Sequence, residues 1–425
     1  MALVTALIDG NNFYAACEQS IDPSLRDRPL VVLSNNDGCI IARSPEARGL
    51  GISMGTPYFK IRQKLQNLNV AIRSSNYTLY GDMSHRLMSL LENHCEDLEI
   101  YSIDEAFARL HRPNNNDLHP WARQLRALIY QNLGITIAIG IGTNKVQAKL
   151  ANHLAKRMDL HAGIFDFIKV KNYDEELDRI SVEDIWGIGY KMSSWCRQRG
   201  INSAKQFRDM PNNELRAKYG VIGTRLQREL HGEICLPFSN RPIKKKETCV
   251  SRSFNRPITD ILELRQAIST YVVRACEKLR KQNQRAGSIT IFARSSLYNS
   301  SFYSKSATTH LDMASNNTTE ILAASLELTE QIFNSKQPLI KAGVIMRNLQ
   351  SSNLLQKNLL INLDEKETRK NERLMQVVDK INQRYGRSTI SWAICGTNQS
   401  WTMRRNALSP AATTDINEIP IAKAL

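Results

Sequence analysis

The chain has 425 residues and a formal net charge of +16, from 57 lysines and arginines against 41 aspartates and glutamates. The length predicts two to four domains, and the charge is typical of a protein that binds a polyanion such as nucleic acid. No apolar run approaches the roughly 18 residues of a membrane-spanning helix, no signal sequence is apparent and the eight cysteines form no C-x-x-C pair, so the sequence predicts a cytoplasmic protein without a membrane partner, a disulfide framework or a zinc site.

The first predicted strand covers residues 3–8 and leads directly into an acidic side chain, Asp9. Asn11 or Asn12 can then cap a helix that runs to Gln19, because asparagine is a favoured N-cap residue. The sequence therefore predicts a carboxylate between a buried strand and the start of a helix.

A second predicted strand, residues 29–33, is followed by a turn with the composition Ser-Asn-Asn-Asp-Gly at 34–38. The next stretch, residues 40–57, mixes short helical pieces with glycine and proline. Arg43 and Arg48 within it are either surface charges or ligands for a phosphate near the strand ends.

The most informative stretch is residues 99–107, an apolar run that contains two adjacent acids, Asp104 and Glu105. The β-branched and aromatic residues at its start predict a buried strand that ends in the acids. An exposed turn with two solvated acids is the alternative. The predicted strand at 3–8 is also an apolar run that ends in an acid, which favours the buried strand here. Pairing of the two strands would bring Asp9 beside Asp104 and Glu105 if the chain turns at these two acids.

Three carboxylates that meet in this way imply a cation, because a buried unpaired charge is costly and carboxylate oxygens are good ligands for Mg²⁺. Two such ions about 4 Å apart would clamp the attacking and the leaving oxygen of a phosphoryl displacement. The residues themselves therefore predict metal-assisted transfer to or from a phosphate.

Helical periodicity is evident at residues 77–95 and 121–133, on either side of the acidic stretch. A strand is predicted at 135–141, and a helix follows from 142 to 156. Together with the earlier strands, this order is the α+β pattern of a ferredoxin-like sheet.

Three lysines of the last of these helices, Lys145, Lys149 and Lys156, are spaced four and seven residues apart and so fall on one side of it. A solvated basic face is one interpretation of this pattern. The other interpretation is that these lysines bind a nucleotide triphosphate.

The tripeptide Gly187-Ile-Gly189 lies between two predicted helical segments, the second at 191–199, and Gly200 precedes a further helix start. This arrangement predicts a helix-hairpin-helix rather than an ordinary helical turn. The backbone N–H groups of such a motif bind a DNA phosphate without reading sequence.

Residues 233–310 carry 14 basic and 5 acidic side chains, which is more than half of the net charge of the chain. The segment 241–246 has the composition of a linker. A strand around Arg252, a helix at 268–280 and a strand at 288–292 predict a second small α+β domain. Its positive electrostatic potential suits binding to the phosphate backbone of duplex DNA.

These motifs match a known family, because the chain resembles the Y-family of translesion DNA polymerases and, within it, the UmuC-like branch. The resemblance covers essentially the whole chain. Its markers are Asp9 with Phe13-Tyr14, the segments 34–43, 101–107 and 148–153, Trp186-Gly-Ile-Gly189, and Trp401-Thr-Met-Arg with Leu408-Ser-Pro.

The resemblance implies an α+β multidomain fold shaped like a right hand, with a ferredoxin-like palm, small fingers, a helical thumb that carries the helix-hairpin-helix, and an α+β little-finger domain. The implied boundaries are 1–33 with 75–170 for the palm, 34–74 for the fingers, 171–232 for the thumb, 233–246 for a linker, 247–350 for the little finger and 351–425 for a C-terminal tail.

The catalytic residues implied by the resemblance are Asp9, Asp104 and Glu105, which would hold two Mg²⁺ ions with help from the backbone carbonyl of Gly10. The implied activity is error-prone, template-directed addition of deoxynucleotides to a primer 3′-hydroxyl in SOS-type tolerance of DNA damage.

Four residues are implied to contact the nucleotide: Phe13, Tyr14, Arg48 and Lys156. Tyr14 matches the steric gate, a ring that abuts C2′ of the sugar and rejects a ribose hydroxyl, although an aromatic pair at this place also suits core packing. Arg48 and Lys156 match residues that hold the triphosphate. Pro45 stands where many family members have a tyrosine that touches the triphosphate, so that contact is expected to be absent or replaced.

The expected DNA contacts come from the hairpin glycines and from basic side chains of the linker and the second domain: Gly187, Gly189, Lys244, Lys245, Lys246 and Arg252. The implied protein partners are a UmuD′-like dimer, RecA and a sliding clamp. The clamp would dock on Gln356, Leu359 and Leu360, although Lys357 and Leu360 differ from the usual side chains of such a motif.

Two other functions fit parts of the pattern. A palm-type nucleotide cyclase would use the same carboxylates but would need neither the glycine hairpin nor the basic domain. A DNA-binding accessory protein without activity would keep those basic parts and would not need the acids.

Overall fold

The computed structural model describes residues 2–112, 117–157, 162–239, 244–296, 302–352, 365–397, 399–419 and 421. The chain divides into two units, residues 1–242 with 406–425, and residues 243–405. Each unit has its own hydrophobic core. None of the helices within the described ranges is long and apolar enough to cross a membrane.

The strands are, in chain order, β1 (Ala2–Gly10), β2 (Leu30–Leu33), β3 (Ile40–Arg43), β4 (Ala71–Ser74), β5 (Asp97–Ile100), β6 (Glu105–Arg112), β7 (Ile137–Gly142), β8 (Ile164–Asp166), β9 (Thr248–Ile258), β10 (Gln284–Ser295), β11 (Ser304–Ser315) and β12 (Leu339–Ser351). The helices are α1 (Phe13–Ile21), α2 (Pro45–Gly49), α3 (Tyr58–Asn67), α4 (Tyr77–His94), α5 (His119–Leu133), α6 (Lys145–Arg157), α7 (Tyr173–Arg179), α8 (Tyr190–Arg197), α9 (Ala204–Asp209), α10 (Asn212–Leu230), α11 (Ile261–Lys281), α12 (Thr318–Ile332) and α13 (Glu365–Tyr385).

A five-stranded sheet in the order β5-β6-β1-β7-β8 forms the centre of the first unit. β1 pairs antiparallel with both β6 and β7, and β7 pairs parallel with β8. Side chains of α1, α4 and α5 share the main hydrophobic core with this sheet. The sequence prediction of an α+β sheet with strands at 3–8 and 135–141 is confirmed.

Helix α6 packs against β1 and β7 on the side of the sheet away from that core. The close approach depends on Gly140 in β7, because a Cβ atom there would lie 2.1 Å from the backbone nitrogen of Asn152. The Asn152 side chain in turn donates hydrogen bonds to the carbonyls of Leu7 and Ala138. Helix α6 is thereby fixed against the two central strands.

A second, three-stranded sheet in the order β3-β2-β4 belongs to the same unit. It has a small core of its own, to which α2 and α3 contribute. The predicted turn after β2 is present as a short 3₁₀ segment, Asn35–Asp37.

Helices α7 to α10 pack with α6 around a third core. Ser203 begins α9 with a capping box, in which its hydroxyl accepts from the Gln206 N–H while the Gln206 side chain accepts from the Ser203 N–H. The helix start predicted after Gly200 is therefore confirmed.

The second unit contains an antiparallel sheet in the order β11-β10-β12-β9, with α11 and α12 packed against it. The predicted helix at 268–280 lies within α11 and the predicted strand at 288–292 within β10. Helix α13 is held to α11 by the ion pair between Arg280 and Asp379, at 2.6 Å. The second unit is an α+β structure that covers residues 243–405 and includes α13. The bounds 247–350 for a little-finger domain stay a prediction.

Candidate active site

The two adjacent acids lie at a hairpin, not at the end of a buried strand. β5 ends at Ile100, residues 101–104 form the turn, and Glu105 is the first residue of β6. Ile100 and Tyr101 are 53% and 48% exposed, so the expectation that they are buried is wrong. The physical reason is that β propensity does not reveal where a hairpin turns, and the Tyr101 and Ser102 N–H groups bond back to the Glu105 carbonyl to close this one.

The predicted meeting of the early and late acids is confirmed for the backbone. Asp9 lies directly opposite Glu105 in the antiparallel pairing of β1 with β6. The Gly10 N–H donates a 2.8 Å hydrogen bond to the Asp104 carbonyl. The hairpin turn therefore brings all three carboxylates to one end of the sheet.

Each carboxylate has a different partner. Asp9 Oδ1 lies 2.5 Å from Lys156 Nζ, Glu105 pairs with Lys149, and Asp104 accepts a 2.6 Å hydrogen bond from the Ser102 hydroxyl. Ser102 was not identified from the sequence, although its place two residues before an acid is the usual spacing for a side chain that closes a turn.

Asp9 is the most buried of the three, with only 7% of its surface exposed. Burial raises its pKa to about 6, and the Lys156 ammonium partly offsets that rise. Glu105 and Asp104 add to the rise because their negative charges lie nearby. The site therefore concentrates negative charge at a point where water is scarce, which favours a cation.

The interpretation of the α6 lysines as a solvated face fails for Lys145 and Lys149, whereas Lys156 is exposed. Lys145 is 7% exposed, and its ammonium group contacts both oxygens of Glu99 and the Pro237 carbonyl. Lys149 lies over the Tyr101 ring, 4.8 Å from its centroid, as well as against Glu105. Acids on the neighbouring hairpin and β1 thus neutralise all three lysines of this helix side.

The carboxylate side chains do not converge on one point, and within the described ranges no three His, Cys, Asp or Glu side chains are arranged as ligands of a single ion. Each acid instead turns toward its own ammonium or hydroxyl partner. The expectation that the three carboxylates hold two cations stays a prediction. The donor set still fits hard divalent cations, since it consists of carboxylate oxygens on adjacent backbone positions, one of them buried.

A cleft of about 440 Å³ opens beside these acids. Its lining includes most of the residues singled out from the sequence, namely Asp9, Gly10, Phe13, Tyr14, Arg48, Asp104, Glu105 and Lys156. Arg43 and Met54 line it as well. A cleft lined by carboxylates together with arginine and lysine side chains can hold a metal-bound polyphosphate.

The two residues of the aromatic pair, Phe13 and Tyr14, differ in how far they are buried. Phe13 is buried, whereas Tyr14 is half-buried and its ring stacks on Tyr80 at a centroid distance of 4.4 Å and an interplanar angle of 14°. Tyr77 meets both rings edge-on. Tyr77 and Tyr80 were not identified from the sequence, although their i, i+3 spacing on α4 places them on one face.

Asn12 occupies the N-cap position of α1 in the left-handed conformation, with φ of 48°, but its side chain makes no capping hydrogen bond. The prediction that Asn11 or Asn12 caps the helix is confirmed in position for Asn12, but not by a side-chain hydrogen bond. Asn12 Oδ1 instead accepts a 3.0 Å hydrogen bond from Arg48. This contact holds an otherwise exposed guanidinium at the cleft.

The glycine hairpin is present in the predicted form at its second helix. Gly187 has φ of 92°, which favours glycine, and Gly189 is the N-cap of α8. A 3₁₀ segment, Val182–Asp184, stands where the first helix of the motif was expected to end. Trp186 beside the hairpin donates to the Tyr101 hydroxyl at 3.3 Å, which links the hairpin to the acidic turn.

Among the expected DNA-binding side chains of the second unit, Lys244, Lys245, Lys246 and Arg252 are all exposed. Positive charge around Arg252 is dense: burial lowers the pKa values of Arg274 and Lys278, and the nearby Arg252 guanidinium lowers both further. The expected clamp-binding residues Gln356, Leu359 and Leu360 lie outside the described residues.

Comparison with known sequences gives matches along most of the chain. Residues 8–153 match the impB/mucB/samB family, residues 245–359 match the C-terminal domain of that family, and residues 372–422 match a domain of unknown function. The chain is 38% identical to the protein UmuC of Salmonella typhimurium, over 97% of this chain and 99% of that protein. It is 36% identical to the protein ImpB of the same organism, over 98% and 99%. DNA polymerase IV of Bacillus velezensis is 24% identical over 90% of this chain and 91% of that protein.

Solved structures with a similar fold include a Y-family DNA polymerase chimera of Dbh and Dpo4, with a TM-score of 0.64 and 20% identity over 82% of this chain and 99% of that one. An insertion ternary complex of Dbh DNA polymerase has a TM-score of 0.54 at 20% identity, with the same coverage. At this level of identity the similarity is one of fold.

Proposed function

This chain belongs to the impB/mucB/samB family and is a UmuC-like Y-family DNA polymerase, and from that membership we propose which of its residues carry out DNA synthesis. The enzyme is a DNA-directed DNA polymerase of the error-prone, translesion type. The predicted α+β multidomain polymerase fold is confirmed by the similarity to Y-family structures. Its substrates are primer–template DNA and deoxynucleoside triphosphates.

The observation that carries the proposal is the single cleft that Asp9, Asp104 and Glu105 share with Arg48 and Lys156. We assign the three carboxylates, with the Gly10 carbonyl, as the ligands of two Mg²⁺ ions. When bound, such ions lower the pKa of a primer 3′-hydroxyl and neutralise charge on the triphosphate and its leaving pyrophosphate. The Lys156 ammonium partly offsets the effect of burial on the pKa of Asp9, and the Lys149 ammonium pairs with Glu105.

The nucleotide is proposed to lie with its phosphates toward Arg48 and Lys156 and its sugar against Tyr14. Arg48 is held in place by Asn12, so little of its freedom remains to be lost on binding. Pro45 is the first residue of α2 and presents no hydroxyl, so the phosphates are proposed to be held by cationic side chains, chiefly Arg48 and Lys156. Tyr14, backed by the Tyr80 ring, forms a rigid wall against a 2′-hydroxyl.

The DNA is proposed to contact the hairpin at Gly187 and Gly189 and the basic side chains Lys244, Lys245, Lys246 and Arg252. The supporting observations are the exposure of these lysines and the N-terminal position of Gly189 on α8. Contacts of this kind bind phosphates and carry no sequence information, which suits an enzyme that must act on any template.

The cellular role that we propose is SOS-type damage tolerance in the bacterial cytoplasm, with a UmuD′-like dimer, RecA and a sliding clamp as partners. The support for the first partner is the near full-length similarity to UmuC. RecA and the clamp are proposed from the family alone.

A primer-extension assay with Mg²⁺ tests the proposed residues. We expect Asp104→Ala to reduce extension by about a thousandfold, because several kcal/mol of transition-state stabilisation are lost, while DNA binding in a gel shift survives. Asp117→Ala is the matched control, since that acid is exposed and pairs with Lys169 at the surface. Equal loss of extension and DNA binding in Asp104→Ala would mean that this acid is structural.

A further inference from the structure

The chain returns near its C-terminus to the first unit and lies against the parts that surround the nucleotide cleft. In this tail segment (residues 406–409), the Asn406 N–H donates to Asp37 at 2.9 Å. The Ser74 N–H donates to the Ala407 carbonyl at 2.8 Å, and the Ala407 N–H donates to the Ser74 hydroxyl at 3.0 Å. The tail segment is thereby fixed to the end of β4 and to the turn after β2.

Ser409 is the buried end of this segment, with 8% of its surface exposed. Its hydroxyl accepts a 3.0 Å hydrogen bond from the Asn76 amide and donates at 3.2 Å to Glu18 Oε1. Asn76 also caps α4, because its side-chain oxygen accepts from the Leu79 N–H. The hydroxyl therefore joins the tail segment to α1 and to the start of α4, where the Asn76 amide also donates to the Ser409 carbonyl at 3.4 Å.

Glu18 Oε1 accepts a second hydrogen bond, of 2.7 Å, from the Tyr80 hydroxyl. Glu18 and Tyr80 are 1% and 0% exposed, so neither has water as a substitute partner. Tyr80 is the ring on which Tyr14 stacks. The contacts form an unbroken path from Ser409 through Glu18 and Tyr80 to Tyr14.

We propose that Ser409 is a positioning residue for sugar selection: it fixes Glu18, which holds the Tyr80 ring in register behind the Tyr14 steric gate. This inference rests on the proposed role of Tyr14. It gives a physical task to part of the segment that matches a domain of unknown function. A ring that can shift by a fraction of an ångström would admit a 2′-hydroxyl, so the tail segment would control sugar choice without touching the nucleotide.

The test uses the full-length chain in single-nucleotide primer extension, with dCTP or CTP opposite a template guanine. Selectivity is the ratio of kcat/KM for dCTP to kcat/KM for CTP. We expect Ser409→Ala to lower selectivity about fivefold, since the hydroxyl loses its buried hydrogen bonds to Glu18 and Asn76, with the change residing in the CTP reaction. Ser409→Thr keeps the hydroxyl and is expected to retain selectivity. Thr414→Ala, an exposed hydroxyl of the same tail outside the path, is the matched control.

Tyr14→Ala separates the two hypotheses. If Tyr14 is the gate, its loss removes most of the selectivity, and adding Ser409→Ala to that variant has no further effect, because the ring that Ser409 positions is gone. An unchanged selectivity in Tyr14→Ala would refute the gate assignment, and the inference with it. Two outcomes would overturn the inference and leave the gate assignment intact. In the first, Tyr14→Ala loses selectivity but Ser409→Ala retains it. In the second, Ser409→Ala lowers selectivity further in the double variant.

A second variant, at the Tyr80 end of the path, tests the proposal even if Ser409→Ala fails to fold. Tyr80→Phe keeps the ring behind Tyr14 and removes only the hydroxyl that reaches Glu18. We expect it to lower selectivity in the same direction, with deoxynucleotide extension retained. Wild-type selectivity in a folded Tyr80→Phe would overturn the proposal.

Discussion

Asp9 and Lys156 form an ion pair, 2.5 Å between Oδ1 and Nζ, in the lining of the cleft. The pair does not fully compensate burial, since the pKa of Asp9 remains raised to about 6. A carboxyl with a raised pKa in the folded state costs stability when it is ionised. That cost is complete above pH 6 and disappears as the pH falls toward the ordinary value near 4.

Asp9→Asn is therefore expected to stabilise the metal-free protein at pH 7.5, by about 1 to 3 kcal/mol in the free energy of unfolding. The gain should shrink as the pH falls from 6 to 4, where wild-type Asp9 takes up a proton. Thermal or urea unfolding in EDTA at several pH values measures both effects. Adding Mg²⁺ should stabilise the wild type and leave Asp9→Asn unaffected. A variant less stable than the wild type at pH 7.5 in EDTA would contradict the prediction.

Lys156 faces the cleft but is also the partner of Asp9, so its replacement should affect nucleotide binding. Lys156→Gln is expected to raise the KM for deoxynucleotides about tenfold, the effect of one lost charge-assisted contact to a phosphate. Steady-state extension at varied nucleotide concentration measures it, with DNA affinity expected to be unchanged.

The matched control for that variant is Lys169→Gln, because Lys169 pairs with the exposed Asp117 away from the cleft. A fall in kcat with KM unchanged in Lys156→Gln would argue that the lysine serves the carboxylates and does not contact the triphosphate.

The elements that carry the site could be predicted from the sequence because their signals are local. One apolar stretch leads into Asp9 and another lies beside Glu105, which indicates that the two strands pair. The observed register of β1 with β6 agrees with this prediction. A turn at the acids could also be predicted, because Asp104 and Glu105 can face one site only if the chain turns there. The exposure of Ile100 and Tyr101 could not be predicted, because these residues have strand propensity wherever they lie.

The contacts made by the α6 lysines and by the tail were beyond sequence reasoning for a different reason. Lys149 and Glu105 are 44 residues apart in the chain, and Ser409 and Glu18 are 391 apart. Helical periodicity identifies a common side of a helix and contains no information about what faces it. Only the packing of α6 on the sheet shows that the basic side meets acids.

The buried ion pair of Lys145 with Glu99 is expected to matter for stability. Both side chains are largely inaccessible, and Glu99 also accepts from the Ser239 N–H at 2.6 Å. Lys145→Ala would leave the Glu99 carboxylate buried without its cation, at a cost of about 3 kcal/mol in the free energy of unfolding. Urea unfolding of the two proteins measures the difference.

A surface pair of the same kind provides the control for that prediction. Arg86 and Asp82 are one turn apart on α4 and partly exposed, so Asp82→Ala should cost less than about 1 kcal/mol. Equal losses in Lys145→Ala and Asp82→Ala would show that the burial of the first pair is energetically unimportant.

Two glycines of the first unit should respond to alanine in opposite directions. At Gly140 a Cβ atom would lie 2.1 Å from the Asn152 nitrogen and 2.4 Å from the Ala148 carbonyl, so α6 would have to move off β7. Gly140→Ala is expected to destabilise the fold by at least about 3 kcal/mol. At Gly81, within α4, a Cβ atom would meet nothing within 4 Å. Gly81→Ala should therefore stabilise the helix by about 0.5 to 1 kcal/mol, because alanine loses less conformational entropy on folding. Chemical unfolding of both variants tests the pair, and a tolerated Gly140→Ala would mean that α6 is not held against the sheet as closely as its contacts with β7 indicate.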